Sequence, residues 1–404
     1  NNMSVYWLVN QYASTPGTGT GGRHFYLAKE LASQGHKVYL IAASYSHLLH
    51  KPPELQKEFT IETISENFDF VWIKVPEYTE AHDKKRVLNW FIFTWKLLKL
   101  KNIIIDKPNA ILYSSPSLLP FLGAQKLAKN FRAKLVFEVR DIWPLTLIEL
   151  GGYSPRHPFI RFMQWVEDKA YRDSDVVISN LPNAIEHMVV RGLSRNKFVW
   201  IPNGFDLMEV EESKPLNYKV KSTLPQDKFI VGYVGTIGVA NALNILIEAA
   251  DLLQSEKDIA FVLVGSGKEK LRFIEQAKGL TNVVFVSSIP KNQVQSLLKE
   301  IDIAFIAQVQ SKLYKYGIAS LKIPEYLIAS KPVLHLTSFE SLVEKEQAGL
   351  QIKSYNPEAL RDGILKLKRL PYEERSKMGE NGRRYAIENY DYAKLSKKLS
   401  EILG

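Results

Sequence analysis

Residues 229–264 read FIVGYVGTIGVANALNILIEAADLLQSEKDIAFVLV, and this stretch identifies the class of fold. The apolar run Phe229–Val234 is followed by a glycine-rich turn, by an amphipathic pattern at Ala242–Leu253, and by a second apolar run at Ala260–Val264. Apolar strands that alternate with helices are typical of parallel sheets covered by helices on both faces. We therefore expect an α/β protein built on parallel sheets.

The same alternation fills the rest of the chain and starts twice. We predict seven strands before residue 205, the first at Val5–Val9, and five after it, the last at Pro332–His335. Between the two sets, the polar stretch Leu207–Asp227 has neither helical nor strand periodicity, and we interpret it as a linker. Two doubly wound domains facing one another across a cleft are the expected architecture.

Domain boundaries follow from this division. We predict a first domain at residues 1–205 and a second at residues 206–385, with residues 386–404 as a C-terminal helix that returns to the first domain. The helical pattern Tyr372–Leu403 is interrupted by Gly382 and by Asn389–Asp391, so it predicts two helices with a bend.

Composition excludes several classes of protein. The 404 residues include no cysteine, which excludes disulfides and thiolate metal sites, and the net charge of +10 accompanies no recognised nucleic-acid-binding motif. The basic residues are densest in Lys84–Lys107, where they alternate with aromatic residues. That stretch could lie on an anionic membrane surface or pack as an ordinary amphipathic helix, and its lysines prevent it from spanning a bilayer. The run Ser4–Val9 is too short for a signal peptide, so we expect a cytoplasmic protein.

Two segments of the first half carry polar chemistry at strand ends. The loop after the first strand contains Gly21 and Gly22, where backbone amides could approach a phosphate, although a flexible loop explains them equally well. The strand Lys134–Val139 runs into Arg140 and Asp141. Asp141 could accept a proton from an acceptor hydroxyl or orient that hydroxyl. Arg140 could keep Asp141 ionised or bind a phosphate. The alternative is a structural pair between an arginine and a carboxylate that holds the loop in place.

The second half offers two glycine turns and one helix start that suit a nucleotide. Turns at Gly235-Thr236 and at Gly265-Ser266-Gly267-Lys268 place small residues and free amides at strand ends, as a diphosphate requires. In the segment 316–334, Ser320 can cap a helix, so that the Leu321 and Lys322 amides and the Lys322 ammonium meet an anion. Glu325, one turn further, could accept hydrogen bonds from two ribose hydroxyls.

With these residues in view, the chain resembles the GT-B glycosyltransferases of family 4, and within them the bacterial amino-sugar transferases of surface-polysaccharide assembly, such as the L-fucosamine transferases. The resemblance covers nearly the whole chain. Its markers are Gly21-Gly22-Arg23-His24, Ser44-Tyr45-Ser46-His47, Glu138-x-Arg140-Asp141-x-Trp143-Pro144, Ile201–Asp206, Tyr233–Thr236, Leu263-Val264-Gly265-x-Gly267, and Lys322-Ile323-x-Glu325-Tyr326 before Lys331–Leu334.

The resemblance implies a nucleotide-diphosphate sugar donor with UDP as the nucleotide, retention of anomeric configuration, and no metal or other cofactor. It assigns the donor to the second domain, with Glu325 on the ribose and the base near Ile289. The remaining donor residues that it implies are Ser320, Leu321, Lys322, Thr236, Asn241, Gly265 and Gly267. It assigns catalysis and the acceptor side to the first domain, through Asp141, Arg140, Glu138, Gly21, Gly22, His24 and His47.

Two departures from the family pattern affect the donor site. Many relatives carry a first glutamate at the position of Gly317, so backbone amides are expected to replace some of its contacts with the sugar. Many also carry arginine and lysine after the first glycine turn, where this chain has Thr236 and Asn241. Lys322 and Lys268 are expected to supply that charge instead.

The expected reaction is transfer of a hexose or N-acetylamino sugar to a glycan or polyprenyl-diphosphate-linked glycan in bacterial surface-polysaccharide synthesis, such as O-antigen or capsule. Peripheral attachment to the inner face of the plasma membrane through Lys84–Lys107 is part of this hypothesis. A nucleotide-sugar epimerase or hydrolase on the same fold, and a noncatalytic membrane-associated scaffold, are the alternatives.

Overall fold

The computed structural model describes residues 3–80 and 84–404, which divide into two compact units. Unit 1 contains the described residues up to Asn203 together with Tyr316–Ala319 and Tyr392–Gly404, and unit 2 contains Gly204–Lys315 and Ser320–Asp391. The last helix of unit 1 thus begins at Tyr392 rather than at 386. The short segment Tyr316–Ala319, which the sequence assigned to the second domain, belongs to unit 1.

Within its described residues, unit 1 is built on an eight-stranded sheet in the order β3-β4-β2-β1-β5-β6-β7-β8. All neighbours pair in parallel except β3, which is antiparallel to β4 at the edge. The strands are β1 (Val5–Val9), β2 (Lys37–Ala43), β3 (Phe59–Ser65), β4 (Phe68–Ile73), β5 (Ala110–Ser114), β6 (Lys134–Val139), β7 (Val176–Ser179) and β8 (Phe198–Trp200).

Helices cover both faces of this sheet. On one face lie α2 (Lys84–Leu97), α3 (Pro120–Phe131), α5 (Pro158–Asp173) and α6 (Ala184–Val190), whose apolar residues share one core with the sheet. On the other face lie α1 (Gly22–Ser33) and α16 (Tyr392–Leu403). The rings of Tyr26 in α1 and Tyr392 in α16 stack with centroids 5.3 Å apart, so the last helix packs against the first. A short helix, α4 (Leu145–Glu149), precedes α5.

The described part of unit 2 contains an all-parallel six-stranded sheet in the order β11-β10-β9-β12-β13-β14. Its strands are β9 (Phe229–Val234), β10 (Ile259–Val264), β11 (Val283–Val286), β12 (Ile303–Ala307), β13 (Val333–Leu336) and β14 (Gly349–Ile352). Its helices are α7 (Leu207–Glu211), α8 (Tyr218–Thr223), α9 (Leu243–Leu252), α10 (Lys270–Gln276), α11 (Val294–Leu298), α12 (Lys322–Ile328), α13 (Leu342–Lys345), α14 (Pro357–Arg369) and α15 (Tyr372–Asn389).

Two predictions about the second half are wrong. The stretch Leu207–Asp227 is not an irregular linker, because it contains α7 and α8, each capped by a side chain that accepts from the first turn: Asp206 and Asn217. Gly382 does not interrupt the terminal pattern, since α15 runs through it. A Cβ there would lie 2.7 Å from Leu327 Cδ2, so the glycine serves close helix packing.

Candidate functional site

A cavity of about 320 Å³ opens in unit 2 where β9, β10 and β11 end and α12 begins. Ligands of open parallel sheets bind at this edge, beyond the carboxyl ends of the strands. Three of its lining residues come from the first glycine turn, three from the second, three from the segment after β11, and three from the start of α12. They are Val234, Gly235, Thr236, Val264, Gly265, Ser266, Ser288, Ile289, Val294, Leu321, Lys322 and Glu325.

The two glycine turns pack directly against one another. The sequence predicted free amides at Gly235 and Gly265. Both amides instead donate to backbone carbonyls, that of Gly235 to Val264 (2.9 Å) and that of Gly265 to Val286 (3.0 Å). A Cβ on Gly265 would lie 1.8 Å from the Gly235 carbonyl oxygen, at a φ of 149°. The glycines therefore allow close approach of two chain segments, and side chains must supply the polar groups of the cavity.

The Lys322 ammonium lies beside the first turn. A Cβ on Gly235 would be 2.2 Å from Lys322 Cε and 3.0 Å from Nζ, so the missing side chain is what makes room for the lysine. Nζ lies 5.6 Å from the centre of the Tyr233 ring. Burial lowers the pKa of Lys322, partly opposed by the charge of Glu325. Among the described residues no carboxylate lies within 4.0 Å of this ammonium, so the cavity holds a cation that no ion pair neutralises.

The Glu325 carboxylate is the second ionisable group of the cavity. Burial raises its pKa, partly opposed by the charges of Lys291 and Lys322. In the part of the chain that the structure describes, its oxygens accept no hydrogen bond from protein. A half-buried carboxylate without partners is costly to keep ionised, and such groups cluster at binding sites.

The start of α12 differs from the prediction. The helix begins at Lys322, with Leu321 as the residue before it, and Ser320 lies one position too early to cap it. Ser320 Oγ nevertheless accepts from the Lys322 amide at 3.0 Å, so this amide is not free for an anion. The side chains of Lys322 and Glu325 remain the polar groups that α12 presents to the cavity.

The other predicted donor residues divide into two groups. Thr236, Gly265 and Ile289 line the cavity. The rest do not. Asn241 Nδ2 donates to the Thr236 carbonyl at 3.0 Å, and Gly267 and Lys268 are exposed and do not line the cavity. Gly317 lies in unit 1, where a Cβ would be 2.4 Å from Pro182 Cδ.

Sequence reasoning missed three residues that shape the cavity. Lys270 Nζ donates to the Gly265 carbonyl at 2.9 Å and so holds the second turn. Ser288 Oγ donates to Ser266 Oγ at 2.9 Å, which joins two segments of the lining. Their sequence signal is weak, because a lysine and two serines in polar turns are common on any surface.

In unit 1 the predicted catalytic residue Glu138, whose side chain is fully shielded from solvent, lies at the centre of a buried cluster. Arg23 donates to Glu138 Oε2 from Nε (3.2 Å) and Nη2 (3.0 Å). Ser114 Oγ donates to Oε1 at 2.7 Å, and His24 Nε2 lies 2.6 Å from the same oxygen. Arg23 also donates to the carbonyls of Ile201 and Pro202, so the cluster connects α1, β5 and β6 with the segment that follows β8.

The cluster fixes the protonation of its members. Burial alone would raise the pKa of Glu138, but the charges of Arg23 and Arg140 and the hydrogen bond from His24 hold it well below its usual range. Asn10 Oδ1 accepts from Tyr12 N and Arg140 Nη2, so its amide group donates to His24 Nδ1, and His24 Nε2–H donates to Glu138. Burial lowers the pKa of His24. The catalytic assignment of Glu138 needs correction, because this carboxylate is saturated with protein donors and unavailable to a substrate.

Arg140 and Asp141 do not pair with each other, and the alternative of a structural ion pair holds for Arg140, whose Nε lies 3.9 Å from Glu138 Oε1. Arg140 Nε donates to Ser114 Oγ at 2.8 Å, whereas the partly exposed Asp141 carboxylate accepts from Trp143 Nε1 (2.8 Å) and Thr146 Oγ1 (2.5 Å). Both donors to Asp141 are neutral. Its charge is therefore held in place without being neutralised, which suits a group that orients a hydroxyl.

Of the remaining predicted residues of unit 1, Gly21 and Gly22 lie at the start of α1 and His47 lies in a loop. Gly21 and Gly22 have φ of 75° and 81°, and the Gly21 amide donates to Ser14 Oγ at 3.1 Å at the start of α1. His47 Nδ1 lies 3.0 Å from the Tyr78 hydroxyl, and burial, aided by the charge of Arg86, lowers its pKa.

Metal sites and membrane spans were sought in the described ranges. No group of three or more His, Asp or Glu residues there could hold a metal ion. None of the helices described is long and apolar enough to cross a bilayer.

Comparison with known proteins identifies the family. Residues 19–209 match the model described as Glycosyltransferase Family 4, and residues 216–385 match Glycosyl transferases group 1. The chain is 26% identical over 322 residues to the colanic acid biosynthesis glycosyl transferase WcaI of Escherichia coli (strain K12), covering 77% of this chain and 76% of that protein.

Solved structures agree on the fold. Anabaena HepE, in complex with UDP and glucose, superposes with a TM-score of 0.64 at 14% identity, over 100% of this chain and 99% of that one. Trehalose-6-phosphate synthase, from a study of glycosyl transfer with retention, superposes with a TM-score of 0.74 at 10% identity and 98% coverage of both chains. The chain is a glycosyltransferase of the GT-B fold and belongs to family 4.

Proposed function

We propose that the protein is a metal-independent, retaining glycosyltransferase that moves a hexose or N-acetylamino sugar from a UDP-linked donor to a glycan or lipid-linked glycan in bacterial surface-polysaccharide synthesis. The observation that carries the proposal is the cavity of unit 2, where an ammonium and a carboxylate lie without ion-pair partners among the described residues. The UDP and glucose in HepE and the pathway named for WcaI support the donor and the setting.

The two charges suit two parts of one nucleotide. Lys322 and Glu325 are three positions apart on a helix, so their side chains emerge on the same face about 5 to 6 Å apart at Cβ. An ammonium stabilises the diphosphate, and a carboxylate accepts from vicinal ribose hydroxyls. Each charge-assisted hydrogen bond contributes about 1.5–3 kcal/mol, which is roughly 10- to 150-fold in affinity.

Catalysis then consists of stabilising the leaving group. As the bond from the sugar C1 to the diphosphate oxygen breaks, negative charge gathers on the diphosphate, where Lys322 lies in the proposed complex. The acceptor hydroxyl forms the new C1–O bond on the face that the diphosphate leaves, and its proton passes to a donor phosphate oxygen. Asp141 orients that hydroxyl. The proposed setting is the cytoplasm, at the inner face of the plasma membrane.

The test measures UDP binding and sugar transfer in parallel. Purified protein is incubated with UDP-glucose or UDP-N-acetylglucosamine, with and without a lipid-linked glycan, and products are followed by mass spectrometry. Sugar transfer that requires the acceptor supports the proposal, whereas donor consumption without an acceptor would assign an epimerase or hydrolase. Glu325→Ala and Lys322→Ala should each weaken UDP binding at least about tenfold in calorimetry, and Lys278→Ala, an exposed lysine outside the cavity, serves as the matched control.

A further inference from the structure

The guanidinium of Arg86, in the first turn of α2, lies among aromatic rings of unit 1. Its central carbon Cζ is 5.5 Å from the centre of the Tyr12 ring, 5.9 Å from that of Trp90 and 5.7 Å from that of Trp143. Arg86 Nε also donates to the Tyr12 hydroxyl at 3.3 Å, and Trp90 Nε1 donates to the same oxygen at 2.8 Å. The rings come from the loop after β1, from α2 and from the segment after β6, so three parts of the chain hold this one charge.

These rings hold the guanidinium by its charge. Tyr12, Trp90 and Trp143 are buried, whereas Arg86 itself is partly exposed. The face of an aromatic ring attracts a cation, but it accepts none of the in-plane N–H groups with which an arginine binds a carboxylate or a phosphate. A side chain that is already held in place loses little conformational freedom when an anion binds to it. The arrangement therefore suits recognition of an anion.

Trp143 also contacts the carboxylate that orients the acceptor hydroxyl in the proposed reaction. Its Nε1 donates to Asp141 Oδ2 at 2.8 Å, and its ring lies beside the Arg86 guanidinium. One indole, which is comparable in length to a single pyranose ring, thus contacts both a carboxylate and a guanidinium. His47 lies close as well, because its ring centroid is 6.1 Å from that of Tyr12, and burial and then the charge of Arg86 lower its pKa.

We propose that Arg86 determines acceptor specificity by binding a phosphate attached to the sugar whose hydroxyl Asp141 orients. The inference rests on the proposed function, which assigns Asp141 to the acceptor. The carboxylate accepts from a hydroxyl and the guanidinium donates to an anion, so one ligand must carry both groups. After a bidentate contact with Arg86, a phosphate has a further oxygen for His47, which a carboxylate lacks. The acceptor class is a sugar phosphate or sugar diphosphate, free or lipid-linked.

Calorimetry on the 404-residue chain tests this assignment with ligands that differ in charge. Glucose and N-acetylglucosamine are each supplied as the 1-phosphate, as the undecyl diphosphate and as the neutral undecyl glycoside, to protein saturated with UDP so that the donor cavity is filled. We expect both phosphorylated forms to bind at least about tenfold more tightly than the neutral form. Tighter binding of the undecyl diphosphate than of the 1-phosphate would identify a lipid-linked source of the phosphate, and equal binding a soluble one.

Variants of Arg86 separate its role from the packing of the rings. Arg86→Gln should weaken binding of the phosphorylated ligands by roughly 10- to 150-fold and leave binding of the neutral glycoside unchanged. Arg86→Lys keeps the charge but not the planar fork, so its loss should be smaller than that of Arg86→Gln. Arg161→Gln removes an exposed arginine of α5 and serves as the matched control. Circular dichroism and UDP binding are measured for every variant.

The titrations are repeated without UDP in Lys322→Ala, so that neither binding of phosphate in the donor cavity nor a failure of UDP to bind affects the result. Absence of UDP binding or of sugar transfer in the wild type counts against the proposed function alone. Three results would overturn the role of Arg86: no preference of the wild type for phosphorylated ligands, unchanged affinity for them in Arg86→Gln, or an equal loss for the neutral glycoside in that variant.

Discussion

Substitution of Gly235 by alanine should disable the donor site through Lys322. The new Cβ would lie 2.2 Å from Lys322 Cε and 3.0 Å from Nζ. Because these atoms are the end of a flexible side chain, the lysine can move away and the unit can still fold. The φ of 151° at this position adds backbone strain, which costs about 1–3 kcal/mol for a residue other than glycine.

The magnitude follows from what the lysine does. If the displaced ammonium no longer reaches the diphosphate, one charge-assisted hydrogen bond of about 1.5–3 kcal/mol is lost, so the Kd for UDP should rise roughly 10- to 150-fold. Gly238 provides a control three residues away. Its φ of −142° is extended and its Cβ would approach only Thr236 Cγ2 at 3.8 Å, so Gly238→Ala should retain wild-type affinity.

Calorimetry with UDP on Gly235→Ala, Lys322→Ala and the double variant tests this reasoning. If the alanine acts by displacing the lysine, the double variant should bind UDP no more than a few-fold more weakly than Lys322→Ala. Fully additive losses in the double-mutant cycle would show that Gly235 acts by another route. Wild-type affinity in Gly235→Ala would refute the position of the lysine itself.

Two further predictions concern carboxylates. Glu138→Ala leaves the Arg23 guanidinium buried without its partner, so the free energy of unfolding should fall by about 3–5 kcal/mol in urea denaturation, while the exposed Glu149→Ala changes it by less than about 0.5 kcal/mol. A loss of turnover at unchanged stability would restore a catalytic role to Glu138. Glu325 has a raised pKa, so the native state binds its proton more tightly and stability falls as pH rises from the ordinary value of 4.5 through the raised one. Glu325→Gln should therefore melt higher than wild type near pH 7 and equally near pH 4; a lower melting temperature near pH 7 would contradict this.

Most of the strands could be predicted, because buried parallel strands leave continuous apolar runs such as Ala260–Val264 and Ile303–Ala307. Two edge strands were missed for the opposite reason. β3 is mostly exposed and its pairing register with β4 shifts between Thr63 and Ser65, and β14 is only four residues long and partly exposed. The linker prediction failed because α7 and α8 are too short to show a helical period.

The cavity was predicted less completely than the sheets. Thr236 and Gly265 were predicted at strand-end turns, Lys322 and Glu325 from a helix start, and Ile289 from the family resemblance. All five line one cavity. The sequence could not indicate that the glycine amides are used by neighbouring strands, since hydrogen-bond partners depend on which strands lie side by side. Nor could it indicate that the side chain of Lys270, rather than that of Lys268, donates to the Gly265 carbonyl.

Glu138 and Glu325 illustrate what pattern alone cannot separate. Each belongs to a sequence motif that lies at the carboxyl edge of a sheet, and the sequence analysis assigned both to the functional site. Glu138 receives hydrogen bonds from Arg23, His24 and Ser114, and the charge of Arg23 keeps its pKa low against the effect of burial, so its removal costs stability. Glu325 receives none among the described residues, and burial raises its pKa, so its ionised form is a cost to the fold. A chain gains nothing in stability from an unpartnered carboxylate beside an unpartnered ammonium, and a ligand with hydroxyls and phosphates supplies both with partners.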